Sequence, residues 1–232
     1  MTDPYLAPNW VSSALLTIDV QRDFLSDAPY GVPGTSEALP AMAELTAAFR
    51  RAGRPIVHIV RLYHPDGRDA DLARRSLLAG GARIVITGSA GSALAEPLLP
   101  PGAPPLDPDL LLGGRPQPLG RNEYALFKPR WGAFYRTPLD EMLRGWGVDT
   151  LVVAGCNFPN CPRATLVEAS ERDYRLVLAG DAVSRLTDTG RDEIAGLGVT
   201  LADTGAIADA LRTLPGTSDD AVRGTPEGAA RP

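Results

Sequence analysis

Three side chains far apart in the chain supply a carboxylate, an ammonium and a thiol: Asp19, Lys128 and Cys161. Together they can do acid–base and nucleophilic work. Lys128 stands out by count, since the chain has 23 Lys and Arg residues and Lys128 is the only lysine. Arginine stays charged almost anywhere, whereas a lysine ammonium is a compact charge that responds to burial. Pro129 follows Lys128 directly, and Trp131, Phe134 and Tyr135 make its surroundings aromatic. An ammonium buried there needs an anionic partner. Asp19 can be that partner. It closes the apolar run Ala14–Leu15–Leu16–Thr17–Ile18, and a carboxylate desolvated at a strand end becomes a stronger base near neutrality. Cys161 follows a strand, Gly155 and a short polar turn, and it opens a helix. The free N–H groups and the dipole of a helix start favour an anion, and a cysteine in that place can have its pKa lowered well below about 8.5. N–H groups of the same turn can receive an oxyanion.

Each residue alone has a plainer reading. Asp19 would be a strand-end cap, Lys128 a surface lysine, and a cysteine a small buried hydrophobe. That last reading suits Cys156, which still follows the strand, and Asp23 reads as a cap of its own turn. The two histidines do not complete a Cys–His pair. His58 sits inside Pro55–Ile56–Val57–His58–Ile59–Val60 as a hydrogen-bonded core residue, and His64 falls just past that strand, in a pocket wall or a loop. That shortage argues for a different base, and Asp19 is available.

The elements that must position these groups alternate. Residues 14–20, 55–62, 123–128, 150–154, 175–179 and 199–201 read as strands, with 83–87 a weak one. Residues 37–52, 69–78, 137–145, 161–172, 189–196 and 204–214 read as helices, with a helical turn at 93–99. Several strands are continuous apolar runs, as expected when both faces are covered. The predicted fold is α/β: an open, mostly parallel sheet of about six strands with helices on both faces. Ligands of such sheets sit at the carboxyl ends of the strands, where Asp19, Lys128 and the stretch after Ala154 all fall. Residues 1–214 are expected to form one domain. The Pro- and Gly-dense stretch 100–120 reads as a loop without regular structure, and 215–232 as a disordered tail.

Composition narrows the function classes. The formal net charge is −5, with 44% hydrophobic and 22% charged residues. An acidic balance argues against a nucleic-acid binder, and no apolar run reaches the roughly 18 residues of a membrane span. The first residues show no basic start or apolar stretch of a secretory signal. Two cysteines make no disulfide framework, which points to a reduced, cytoplasmic compartment.

Three stretches resemble the isochorismatase-like superfamily of cysteine hydrolases. They are Leu16–Phe24 with Asp19, Gln21, Asp23 and Phe24; Lys128–Phe134 followed by Thr137 and Leu139; and Leu151–Thr165, continuing through Asp181–Ala182. The likeness covers about residues 12–210. It implies Asp19 as general base, Lys128 as the cation beside it and Cys161 as nucleophile. It also implies a cis peptide between Cys156 and Asn157, with the N–H groups of Asn157 and Cys161 as oxyanion hole, and a homo-oligomer. The superfamily's nicotinamidases hold a metal through an Asp-x-His pair and a later His. Here the region reads Arg61–Leu62–Tyr63–His64–Pro65–Asp66, so no metal and no cofactor are expected.

The reading is a metal-independent hydrolase of a C–N bond (amide, ureido or lactam) in a small molecule, working through a thioester. Phe24, Trp131 and Phe134 are expected as pocket walls, with Phe158 and Pro159 narrowing the site. Arg61, Tyr63 and His64 are further lining candidates, Arg61 meeting either a substrate carboxylate or a surface partner. Two other readings stay open: hydrolysis of a vinyl ether or other non-amide substrate by Asp19 with Cys161 a spectator, and a non-catalytic binding or assembly subunit.

Overall fold

The computed structural model describes residues 3–214, so the tail expected at 215–232 lies outside the described residues. Seven strands form one sheet: β1 (Ser13–Ile18), β2 (Ile56–Val60), β3 (Gln117–Gly120), β4 (Glu123–Phe127), β5 (Thr150–Gly155), β6 (Arg175–Val183) and β7 (Thr200–Ala202). Their order is β3-β4-β2-β1-β5-β6-β7. Only the β3–β4 pair is antiparallel. Side chains of β1 alternate across the sheet. Ala14, Leu16 and Ile18 join the core under α4 (Leu139–Gly145), α5 (Cys161–Ser170) and α6 (Asp188–Ala195). Leu15 joins the core under α1 (Thr35–Arg51) and α7 (Thr204–Arg212). Burial on both faces is why β1, β2 and β5 read as unbroken apolar runs. Among the described residues no helix is long and apolar enough to cross a membrane.

The stretch 100–120 departs from expectation, because it carries two regular elements and supplies the seventh strand. Helix α3 (Pro108–Leu112) starts with proline in its first turn, where the missing N–H costs nothing, and Asp107 caps it by accepting from Leu110 N. Strand β3 holds Pro118 at the sheet edge, the place a sheet tolerates proline. The segment 83–87 is no strand. It makes a single bridge, Tyr63 to Ile86, and Val85 has φ +43°. The turn expected at 93–99 is a 3₁₀ turn at Glu96–Leu98. Helix α2 (Leu72–Ala79) starts later than the predicted 69.

Two features lock the strands that carry the site. Gly155 ends β5 with φ +120°, and a Cβ there would lie 2.3 Å from Ile18 O. No other residue lets β5 approach β1 so closely. Gly155→Ala is expected to cost about 3 kcal/mol or more, read as a lowered urea midpoint. The second is a buried polar chain. Thr17 Oγ1 meets His58 Nδ1 at 2.7 Å, His58 Nε2 meets Glu123 Oε1 at 2.7 Å, and Arg50 pairs with both Glu123 oxygens at 2.7 and 2.8 Å. Burial alone would raise the Glu123 carboxyl, but its bonds to Arg50 and His58 outweigh that and hold it below the usual range. A depressed folded pKa adds stability that is present above the unfolded value of about 4.3 and lost as pH falls through the folded one. Glu123→Gln should therefore destabilise the protein at neutral pH and flatten the acid limb of its pH–stability curve below about pH 4.3.

Candidate active site

The site forms where β4, β2, β1 and β5 end side by side. Asp19 follows β1, and its N–H donates to Ile59 O of β2 at 2.9 Å. Its φ of +54° lies in the left-handed region, which aspartate tolerates better than most residues. Lys128 follows β4, and its N–H donates to Val60 O at 3.0 Å. The Lys128 ammonium reaches back over the sheet and lies 2.9 Å from Asp19 Oδ2. It also donates to Arg130 O at 3.2 Å. Lys128 is 0% exposed and Asp19 4% exposed. Asp19 Oδ1 is buried and has no hydrogen-bond partner among the described residues.

Cys161 is the first residue of α5 and is 4% exposed. Asp19, Lys128 and Arg61 all act on its thiol through their charges. The expected fall in its pKa does not occur. Burial and the facing Asp19 carboxylate push the Cys161 thiol up to about 11, and Lys128 and Arg61 pull the other way without prevailing. The helix start is outweighed because the sulfur has lost its water. The thiol therefore keeps its proton at neutral pH, and a nucleophilic role requires an adjacent base.

The turn from β5 to α5 is pinned at several points. Cys156 N–H donates to Ile18 O at 2.8 Å, Phe158 N–H to Ser184 O at 2.9 Å, and Asn160 N–H to Asn157 O at 3.1 Å. The Cys156–Asn157 peptide is cis. Among the described residues, neither the Asn157 nor the Cys161 N–H donates to a backbone carbonyl. A helix start leaves such donors free. The Asn157 side-chain oxygen is also buried without a partner. Cys156 takes a different place. It packs with Phe24 and Tyr63, and burial pushes its thiol up to about 12, against hydrogen bonds from Thr35 and Ser184.

The other expected lining residues divide. Phe24 and Tyr63 are buried together in the small apolar cluster that includes Cys156. Phe134 and Phe158 are buried in the main core with Cys161. The Phe134 ring lies 5.9 Å from that of Tyr174, and Phe158 rests on Gly190 of α6. Trp131 is 40% exposed. His64 pairs with Asp66 at 2.8 Å in its loop. Arg61 is in no surface ion pair. It is buried, with its guanidinium on Pro129 O at 2.7 Å and Arg130 O at 2.6 Å. Asp23 does not cap its own turn but accepts from the distant Val85 N–H at 2.6 Å.

Residues 13–195 match the isochorismatase domain. The chain belongs to the isochorismatase family. It is 30% identical over 185 residues to a probable inactive nicotinamidase of Arabidopsis thaliana, covering 78% of this chain and 85% of that protein. It is 28% identical over 172 residues to a maleamate amidohydrolase of Pseudomonas putida, covering 73% and 71%. A crystal structure of an isochorismatase family protein from Desulfovibrio vulgaris superposes with a TM-score of 0.73 at 33% identity, covering 87% of this chain and 98% of that one.

This isochorismatase-family chain also uses residues to which the sequence reading gave no role of their own. Gln21 donates to Arg61 O at 2.8 Å and Ser92 O at 2.7 Å, and accepts from Arg61 N–H at 2.8 Å. Thr165 and Glu168 lie four and seven residues after Cys161, on one face of α5. They accept from the N–H groups of Ala133 (3.2 Å) and Phe134 (2.9 Å), tying the loop after Lys128 to the cysteine's helix. The spacing from Cys161 was the available signal; the partners were not.

Proposed function

We propose that the protein is a cysteine hydrolase that cleaves the C–N bond of a small amide, ureido compound or lactam without a metal. The observation that carries this reading is the divided Asp19 carboxylate. Oδ2 is held by the Lys128 ammonium at 2.9 Å, Oδ1 is buried without a partner among the described residues, and the carboxylate as a whole acts on the Cys161 thiol, whose pKa is pushed up to about 11. Asp19 takes the Cys161 proton as the sulfur attacks the carbonyl carbon, and the oxyanion is received by the N–H groups of Asn157 and Cys161. The C–N bond then breaks, and Asp19 returns the proton to the leaving nitrogen. Water, deprotonated by the same carboxylate, attacks the thioester, and the acid leaves as the thiol is restored. The unpaired oxygen of Asn157 is available to a substrate N–H. The maleamate amidohydrolase relative supports amide cleavage. Arg61–Asp66 lacks the Asp-x-His pattern, so EDTA should leave the rate unchanged.

The test is a panel of small amides, ureido compounds and lactams read by ammonia or amine release. Turnover with an acyl-enzyme mass on Cys161 is the expected result. The name of the Arabidopsis relative keeps a second reading in view, a fold of this family without turnover. Iodoacetamide separates the two. A catalytic site labels Cys161 faster than Cys156, and equal labelling favours the inactive reading.

A further inference from the structure

We propose that Arg61 is a positioning residue for the Lys128–Asp19 pair, acting through the backbone carbonyls of Pro129 and Arg130. The inference rests on the hydrolase reading above and goes beyond it. From the sequence Arg61 is expected to meet either a substrate carboxylate or a surface partner, yet its contacts tie it to the Lys128 loop.

The guanidinium spans two successive carbonyls, NH1 to Pro129 O at 2.7 Å and NH2 to Arg130 O at 2.6 Å. The second of these oxygens also receives the Lys128 ammonium at 3.2 Å. Two cations from different strands thus share one carbonyl oxygen, and fixing that oxygen fixes the end of the lysine side chain. Pro129 has no N–H to give, and the loop's other ties lie on either side: Lys128 N–H on Val60 O, and the Ala133 and Phe134 N–H groups on Thr165 and Glu168. Between them, Pro129 O also accepts from the Arg130 guanidinium at 2.7 Å, so Arg61 is the distant side chain that grips both carbonyls.

Arg61 is itself anchored on the other side of the site. Gln21 accepts from its N–H and donates to its carbonyl, both at 2.8 Å, and Gln21 stands two residues after Asp19. The chain of contacts therefore runs from the end of β1 through Gln21 and Arg61 to the end of β4, and returns through Lys128 to Asp19. Arg61 reaches the two carbonyls with separate nitrogens of one rigid plane, so lysine at 61 would keep the charge but lose that fixed two-nitrogen geometry.

Charge in the site also closes around this residue. Asp71 Oδ2 lies 3.4 Å from Arg61 NH1 and accepts from Tyr63 OH at 2.8 Å. Two buried cations then face two buried carboxylates. When Asp19 takes the thiol proton, negative charge moves from carboxylate to sulfur, and both cations are already in place to hold it. A substrate carboxylate would meet a guanidinium already committed to two carbonyls and to Asp71.

The test uses Arg61→Lys and Arg61→Gln in the full chain. The first readout is the pH profile of Cys161 alkylation by iodoacetamide in a Cys156→Ala background. Arg61→Lys should slow alkylation by about tenfold to 10²-fold and displace the profile, as a loss of about 1 Å in alignment does. On an amide substrate, kcat should fall while KM stays within about twofold. The second readout exploits the single lysine. Nitrogen-15 labelling of lysine gives one ammonium signal, slow to exchange in the parent and fast in Arg61→Gln. If Arg61→Gln does not fold, Arg61→Lys carries the test through the alkylation profile. An unchanged profile overturns the proposal, and so does a KM effect confined to carboxylate-bearing amides, which would make Arg61 a substrate binder. If instead Cys161→Ala retains turnover, the cysteine-nucleophile reading itself fails, whatever Arg61 does.

Discussion

Cys161→Ala is expected to lower amide turnover by about 10⁴-fold or more, while Cys156→Ala is expected to keep most of it. The two cysteines are five residues apart, both free and both buried, so burial does not separate them. Their partners do. Cys156 sits among Phe24, Tyr63, Thr35 and Ser184, and its N–H is spent on Ile18 O. Cys161 opens a helix with its own N–H free, and it faces the carboxylate whose second oxygen has no other use. With its thiol pushed up to about 11, unassisted ionisation supplies about 10⁻⁴ of the reactive form at pH 7. Asp19→Asn should therefore be nearly as damaging as Cys161→Ala. Measurement is of kcat/KM on an amide found by the ammonia-release screen, with thermal melting as a fold control. A buried Cys→Ala change costs about 1–2 kcal/mol, so a folded but inert Cys161→Ala protein is the expected outcome. Turnover retained within about tenfold of the parent would move the chemistry to Asp19 alone, as in vinyl-ether hydrolysis.

The frame of this site was readable because it rests on local signals. Unbroken apolar runs marked β1, β2 and β5 as strands covered on both faces, and chemistry-bearing residues stood at their carboxyl ends. A lysine surviving alone among arginines marked Lys128. What was not readable depended on partners distant in sequence. Asp23 looked like a cap because its acceptor role toward Val85, 62 residues on, leaves no local trace. Arg61 looked like a surface or substrate cation because only the fold brings the Pro129 and Arg130 carbonyls to it. Prolines at the start of α3 and in β3 concealed two elements, since proline is harmless at a helix start and at a sheet edge. The thiol was misjudged for an energetic reason. A helix start contributes about 0.3–1 kcal/mol toward an anion at an exposed site, and the buried sulfur loses more than that by leaving water.

Lys128→Met is expected to cost about 3–5 kcal/mol of stability together with the activity. The pair it breaks is buried on both sides, with Lys128 fully covered and Asp19 nearly so. Methionine fills the space of the lysine stem but leaves the Asp19 carboxylate without its cation, and an unpaired buried charge is the costly outcome. Removing both charges, as in Asp19→Asn with Lys128→Met, should restore most of the loss, because the desolvation of two ions disappears along with their attraction. Activity should be absent in all three variants. Urea midpoints of the parent, the two single variants and the double variant form a cycle whose coupling energy reports the pair directly. If the double variant loses the sum of the two singles, the 2.9 Å contact is not a coupled pair. If Lys128→Met alone stays within about 1 kcal/mol of the parent, the ammonium behaves as a solvated surface charge. Either result would weaken the proposed mechanism at its base, since that mechanism needs Lys128 to hold Oδ2 so that Oδ1 stays free to take the thiol proton.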